Sequence, residues 1–136
     1  MNLSPQSTQS FAELNQLSQH ILDASFRVHS TLGPGLLEST YEHCLCYELG
    51  KHGINAIRQV LLPVFYDSIE IDAGYRIDLL VENRIIVEIK AVEHLLPIHE
   101  AQLLTYLKLA NKHVGLLINF NVKSLKNSIK RMIHNK

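Results

Sequence analysis

The chain has 136 residues, 46% of them hydrophobic, with 13 Lys and Arg balanced by 13 Asp and Glu. That length supports one buried core and excludes two domains of ordinary size. No apolar run approaches the roughly 20 residues that cross a bilayer, so a helical membrane protein is excluded too.

The opening MNLSPQSTQS has neither the basic start nor the apolar centre of a secretory signal. Cys44 and Cys46 lie two apart in a helical stretch and point about 200° apart around its axis. They cannot readily bridge each other or grip one metal, and they fit a reducing compartment. The expectation is a cytoplasmic protein without a membrane partner.

The zero net charge conceals a division. Residues 1–100 hold all 13 carboxylates and only 6 basic residues, a balance of −7, whereas 101–136 hold Lys108, Lys112, Lys123, Lys126, Lys130, Arg131 and Lys136 with no Asp or Glu. Such a segment attracts polyanions. It reads equally well as a solvated helix end.

In chain order, residues 1–12 read as a loose tail and 13–136 as a single domain. Leu14, Leu17, Ile21, Ser25, Val28 and Leu32 recur at three- and four-residue spacing, which predicts an amphipathic helix stopped by Gly33-Pro34-Gly35. A second helix, with Leu37, Tyr41, Leu45 and Leu49 on one face, runs over 36–52 to Gly53. The stretches 54–66 and 69–81 read as antiparallel strands around the turn pair Asp67-Ser68, with Pro63 marking an edge or a break. A third strand covers 84–92, Pro97 opens a helix over 98–111, and 114–120 is a short apolar strand suited to the middle of a sheet. Leu125, Ile129 and Ile133 predict a last helix over 123–133. The predicted order is ααβββαβα, an α+β domain whose third and fourth strands are parallel through a helical crossover.

The stretch YRIDLLVENRIIVEIKAV at 75–92 places charge inside an apolar hairpin. Along the third strand Glu88 and Lys90 share a face with Ile86, and along the strand before it Asp78 shares one with Arg76 and Leu80. Charges on a central strand are costly to bury without partners or a metal. If Asp78 and Glu88 share a face, two carboxylates and an ammonium converge, which suits a hard divalent cation completed by water and phosphate oxygens. Lys90 would then orient a water or counter charge growing on phosphorus. The register is demanding: Asp78 stands opposite Glu88 only if the connecting loop has an odd number of residues, most simply Glu82-Asn83-Arg84.

An Asp on one strand, Glu-x-Lys on the next, then a helix with Gln102 and Tyr106 one turn apart, resembles the PD-(D/E)XK nuclease superfamily. More narrowly, VHSTLGPGLLESTYEHCLCYEL, containing Gly35-x-x-Glu38-x-x-Tyr41, resembles the GxxExxY family of that superfamily when taken with DLLVENRIIVEIKAV, HEAQLLTYLKL and VGLLINFNV. The resemblance spans roughly residues 17–133, and four blocks in the right order are more specific than an isolated motif. It implies a restriction-endonuclease-like αβββαβ core and Mg²⁺- or Mn²⁺-dependent hydrolysis of nucleic acid, with DNA favoured over RNA. It also implies metal carboxylates at Asp78 and Glu88, the motif lysine at Lys90, and catalytic contributions from Glu38 and Gln102, with Tyr41 and Tyr106 in support. Ile77 stands where the superfamily's name has Pro. The basic residues from Lys108 to Arg131 would supply phosphate contacts, without any base-reading module.

Three rival readings stand beside this. Asp78, Glu88 and Lys90 could form a buried ion cluster that fixes register, in a nuclease-fold protein that only binds nucleic acid or a protein partner. The first helix and the basic end could instead pair two copies as a homodimer. Glu38 is also explained by its place in a first helical turn, where the helix dipole favours carboxylates. The eight histidines show no metal-ligand spacing, and His99 reads as a helix cap or surface group.

Overall fold

The computed structural model describes residues 4–135, with side chains from residue 11 onward. Helix α1 (Ser4–Leu32) and helix α2 (Glu38–Lys51) come first. The helical backbone begins at Ser4, inside the stretch expected to be a loose tail. Leu14, Leu17, Ile21, Ala24 and Val28 form the buried stripe of α1. Gly33, at φ 67°, takes the left-handed turn that ends the helix and donates back to the His29 carbonyl at 2.8 Å.

Strands β1 (Ala56–Leu61), β2 (Val64–Tyr66), β3 (Ile69–Ile71) and β4 (Arg76–Val81) make one long hairpin interrupted at Leu62-Pro63, as the proline implied. Strand β5 (Ile85–Lys90), helix α3 (Pro97–Ala110) and strand β6 (Val114–Asn119) follow, and β5 and β6 are parallel. The main sheet has the order β1-β4-β5-β6, with β7 (Ile129–Ile133) completing it beyond β6. It is therefore mixed, and β2 with β3 forms a separate ribbon.

Two apolar layers sandwich the sheet. On one face Ile85, Val87 and Ile89 pack with Ile21, Tyr41, Leu45 and Leu49 of α1 and α2. On the other, Leu80, Ile86 and Leu117 pack with Leu103, Tyr106 and Leu107 of α3. This is an α+β domain of restriction-endonuclease-like form, with three helices and a mixed five-stranded sheet.

The expected last helix is the clear correction. A 3-10 turn at Leu125–Asn127 leads into β7, which pairs antiparallel with β6 from Ile118↔Ile129 to Val114↔Ile133. The sequence IKRMI fits a two-residue period as well as a helical one. Ile129 packs toward the α1 and α2 layer and Met132 toward the α3 layer. The open edge of β6, a strand buried along its whole length, decides the matter, because its amides and carbonyls need partners.

Candidate active site

The β4–β5 connection is the three-residue loop Glu82-Asn83-Arg84, with Leu79↔Val87, Leu80↔Ile86 and Val81↔Ile85 as facing pairs. Glu82 and Asn83 both adopt left-handed backbone, at φ 52° and 55°. Asn tolerates this readily. Glu82 is held there because its amide and carboxylate both bond the backbone of Asn55, at 2.8 and 2.6 Å.

One step further along this register, Asp78 faces Glu88. The two strands are joined here through side chains: the Asp78 amide donates to Glu88 Oε2 at 3.0 Å, and the Ile89 amide donates to Asp78 Oδ2 at 2.8 Å. Glu88 is 5% exposed. Burial, reinforced by the charge of Asp78, pushes its carboxyl up to about 8. Asp78 is raised in the same direction, first by burial and then by the charge of Glu42, while the Ile89 amide opposes the shift. Lys90, half-buried two residues beyond Glu88, lowers both carboxyls but does not restore them.

Helix α2 contributes from the other side. Glu38 Oε2 accepts the Ala91 amide at 3.2 Å, just past Lys90. Tyr41 holds the preceding reversal in place: its hydroxyl donates to the Gly33 carbonyl at 2.6 Å and accepts the Leu36 amide at 3.1 Å, and its ring stacks on Phe120. On α3, Gln102 donates to the Tyr106 hydroxyl at 3.4 Å. The Tyr106 hydroxyl is itself raised, first by burial and then by the charges of Glu88 and Asp78, and its ring packs with Ile77 and Ile86. Lys90, Glu38, Gln102 and Tyr106 thus gather at the end of the sheet where Asp78 and Glu88 lie.

Three participants escaped the sequence reading. Glu42, one turn after Glu38 and 4% exposed, pairs with Arg58 at 2.7 Å. Gln59 donates to Glu42 Oε1 at 2.9 Å and reaches Asp78 Oδ1 at 3.4 Å. It does so from φ 55°, a left-handed conformation in the middle of an edge strand, of the kind that collects at functional sites. The four-residue spacing of Glu38 and Glu42 was the available signal. Nothing in the sequence marked Gln59.

The basic residues do not form one stripe. Lys123 and Lys126 follow the end of β6 nearest the carboxylates. Lys108 and Lys112 lie at the opposite end of the strands, where Lys112 bonds Asn83 at 3.3 Å. Lys130 and Arg131 point to opposite faces of β7, and Arg131 is tied to Asn15 of α1 at 2.7 Å. His99 caps α3, accepting the Leu96 amide on Nδ1 at 2.9 Å.

A cavity of about 880 Å³ between α1 and α2, lined by Phe26, Cys44 and Tyr47, contains none of these site groups. Among the described residues no cluster of three or more His, Cys, Asp or Glu could hold a metal ion. The donor set on offer is two carboxylates, mutually repelling and short of positive charge. Mg²⁺ accepts such a set, because it retains several waters and needs only one or two protein carboxylates.

A family model described as the PD-(D/E)XK nuclease superfamily matches residues 15–132. The chain belongs to that superfamily, whose members usually use divalent metals and whose substrate class is nucleic acid. Neither the curated proteins nor the solved structures compared with the chain gave a match. No helix among the described residues is long and apolar enough to cross a membrane.

Proposed function

We propose that this chain is a Mg²⁺- or Mn²⁺-dependent nuclease, acting in the cytoplasm and preferring DNA, in which Asp78 and Glu88 hold the metal. The observation that carries this is the facing Asp78–Glu88 pair, Glu88 buried and Asp78 half-buried, with Lys90 two residues on. The metal, when bound, supplies Lewis-acid polarisation of the phosphate and of the attacking water. Lys90 orients that water and stabilises the charge that develops on the phosphoryl oxygens. Glu38 fixes the backbone at Ala91 and so the end of the strand that presents Lys90, and Gln102 and Tyr106 border the reacting group from α3. Lys123 and Lys126 contribute phosphate contacts at this end, which makes affinity fall with salt. Gly35, Glu38 and Tyr41 support placement in the narrower GxxExxY family.

The test is an assay on single-stranded, duplex, flapped and junction substrates of DNA and RNA with Mg²⁺ and Mn²⁺. Cleavage abolished by Asp78→Asn, Glu88→Gln and Lys90→Ala is expected. Tight binding without cleavage of any substrate would instead identify a nuclease-fold binding protein.

A further inference from the structure

We propose that the cleft beside the carboxylate pair is a base-binding subsite, so that the substrate presents an unpaired nucleotide at the scissile position. The inference rests on the nuclease reading for its phosphate but on separate residues for its base. The cleft, about 430 Å³, lies between the root of the β2–β3 ribbon and α3 and is lined by Val64, Tyr75, Ile98, Gln102, Thr105 and Tyr106. That volume falls in the range of small-ligand sites, and an apolar lining with a few polar groups is their usual chemistry.

Three observations select a nucleobase over another apolar occupant. First, the walls are aromatic: Tyr75 and Tyr106 meet edge to face at 6.2 Å, and Tyr75 is 44% exposed, leaving ring surface free for stacking. Second, Tyr106 lines this wall and also packs with Ile77, the neighbour of Asp78, and with Ile86, two residues before Glu88. A group in the cleft is therefore next to a phosphate at the carboxylates, which is the relation of a base to its own backbone. Third, the charge is arranged to match. Arg76 follows Tyr75 and stands two residues before Asp78, is exposed, and its side chain makes no hydrogen bond or ion pair with another described residue. The adjoining ribbon bears Asp67, Glu70 and Asp72, which repel phosphates. The sugar–phosphate chain is thereby directed across Arg76, with the base turned inward.

A base stacked and paired within a duplex cannot enter such a cleft without being unstacked. Single strands, frayed ends and flaps already meet that condition.

The experiment compares fluorescently labelled strands, roughly ten nucleotides long, of DNA, of RNA, of the same sugar–phosphate chain lacking its bases, and of perfect duplex. Binding to the full chain is measured by anisotropy in chelator, where nothing is cut, and hydrolysis is measured separately with Mn²⁺. The intact single strand should bind about five- to a hundredfold more tightly than the base-free chain. Tyr75→Ala, and Ala101→Phe at an exposed position that narrows the cleft, should each bring it down to the base-free level, whereas Tyr75→Phe should not. Equal binding of intact and base-free chains, equal binding of duplex, no binding at all, or variants indistinguishable from wild type would each overturn the subsite. Base-dependent binding without hydrolysis would overturn the nuclease reading and leave the subsite standing. Hydrolysis with base-independent binding would do the reverse.

Discussion

The amide of Asp78 donates to the carboxylate of Glu88 across 3.0 Å, and the carboxylate of Asp78 accepts in turn from the strand that carries Glu88, at the Ile89 amide. Each acid is positioned by a backbone amide of the other's strand. The pair is therefore part of the strand pairing as well as a candidate metal site, and substitutions can separate the two roles.

Asp78→Asn and Glu88→Gln keep an oxygen acceptor for the partner amide and remove a repelling charge. They should retain the fold, with urea unfolding within about 1 kcal/mol of wild type or better, and lose Mn²⁺ binding in titration calorimetry. Asp78→Ala leaves the Ile89 amide without its acceptor and should cost about 1–3 kcal/mol. Equal Mn²⁺ affinity in wild type and Asp78→Asn would remove Asp78 from the ligand set.

The raised carboxyl of Glu88 sets a pH dependence of definite sign. The folded chain holds this proton up to about 8, whereas an ordinary Glu releases it near 4.5. Between those values the unfolded state has released a proton that the folded state still binds, so the metal-free protein loses stability as pH rises through the window. Unfolding by urea at its two ends should show the decline, and Glu88→Gln should flatten it. Metal must displace the same proton, so Mn²⁺ affinity should climb toward pH 8 by up to about tenfold per unit, with proton release on binding.

Arg58 neutralises a carboxylate that is otherwise out of water. Arg58→Ala strands Glu42 and should cost about 3 kcal/mol, the low end for an orphaned buried charge, because the arginine side chain itself is 30% exposed. Adding Glu42→Gln to that variant should recover part of the loss in thermal or urea unfolding. Additive losses would mean that the two residues do not act as a pair.

Gly115, inside the buried strand β6, sets how closely α3 lies on the sheet. A Cβ there would stand 2.8 Å from Leu103 Cδ1. Gly115→Ala should cost about 1–3 kcal/mol by overpacking, and combining it with Leu103→Ala should cost less than the two separate effects together. Independent effects in thermal unfolding would show that α3 approaches by other contacts.

Much of the fold was legible because its signals are periodic and strong. The stripe from Leu14 to Val28, the stop at Gly33-Pro34-Gly35 and the apolar run of β6 each admit few alternatives. Residues 129–133 were misread because five residues cannot separate a two-residue period from a helical one, and a distant strand edge settled the choice. In the site, Asp78, Glu88 and Lys90 stood out as charges on an apolar pattern, and Glu38 and Gln102 followed from the resemblance. Gln59 and Arg58 could not be found that way. They act from the edge strand β1, whose sequence AIRQVL has no polar–apolar alternation to assign them a face, and Gln59 reaches Glu42 and Asp78 from a left-handed φ.

The loop Glu82-Asn83-Arg84 also limits how the gene for this protein can change. Lengthening or shortening the loop by one residue turns every side chain of one strand to the opposite face of its partner, parting the acids and exposing the core together. A change of two preserves which side each residue occupies. Viable length variants at this turn should therefore come in even steps, a parity rule that a library of insertions and deletions would expose directly.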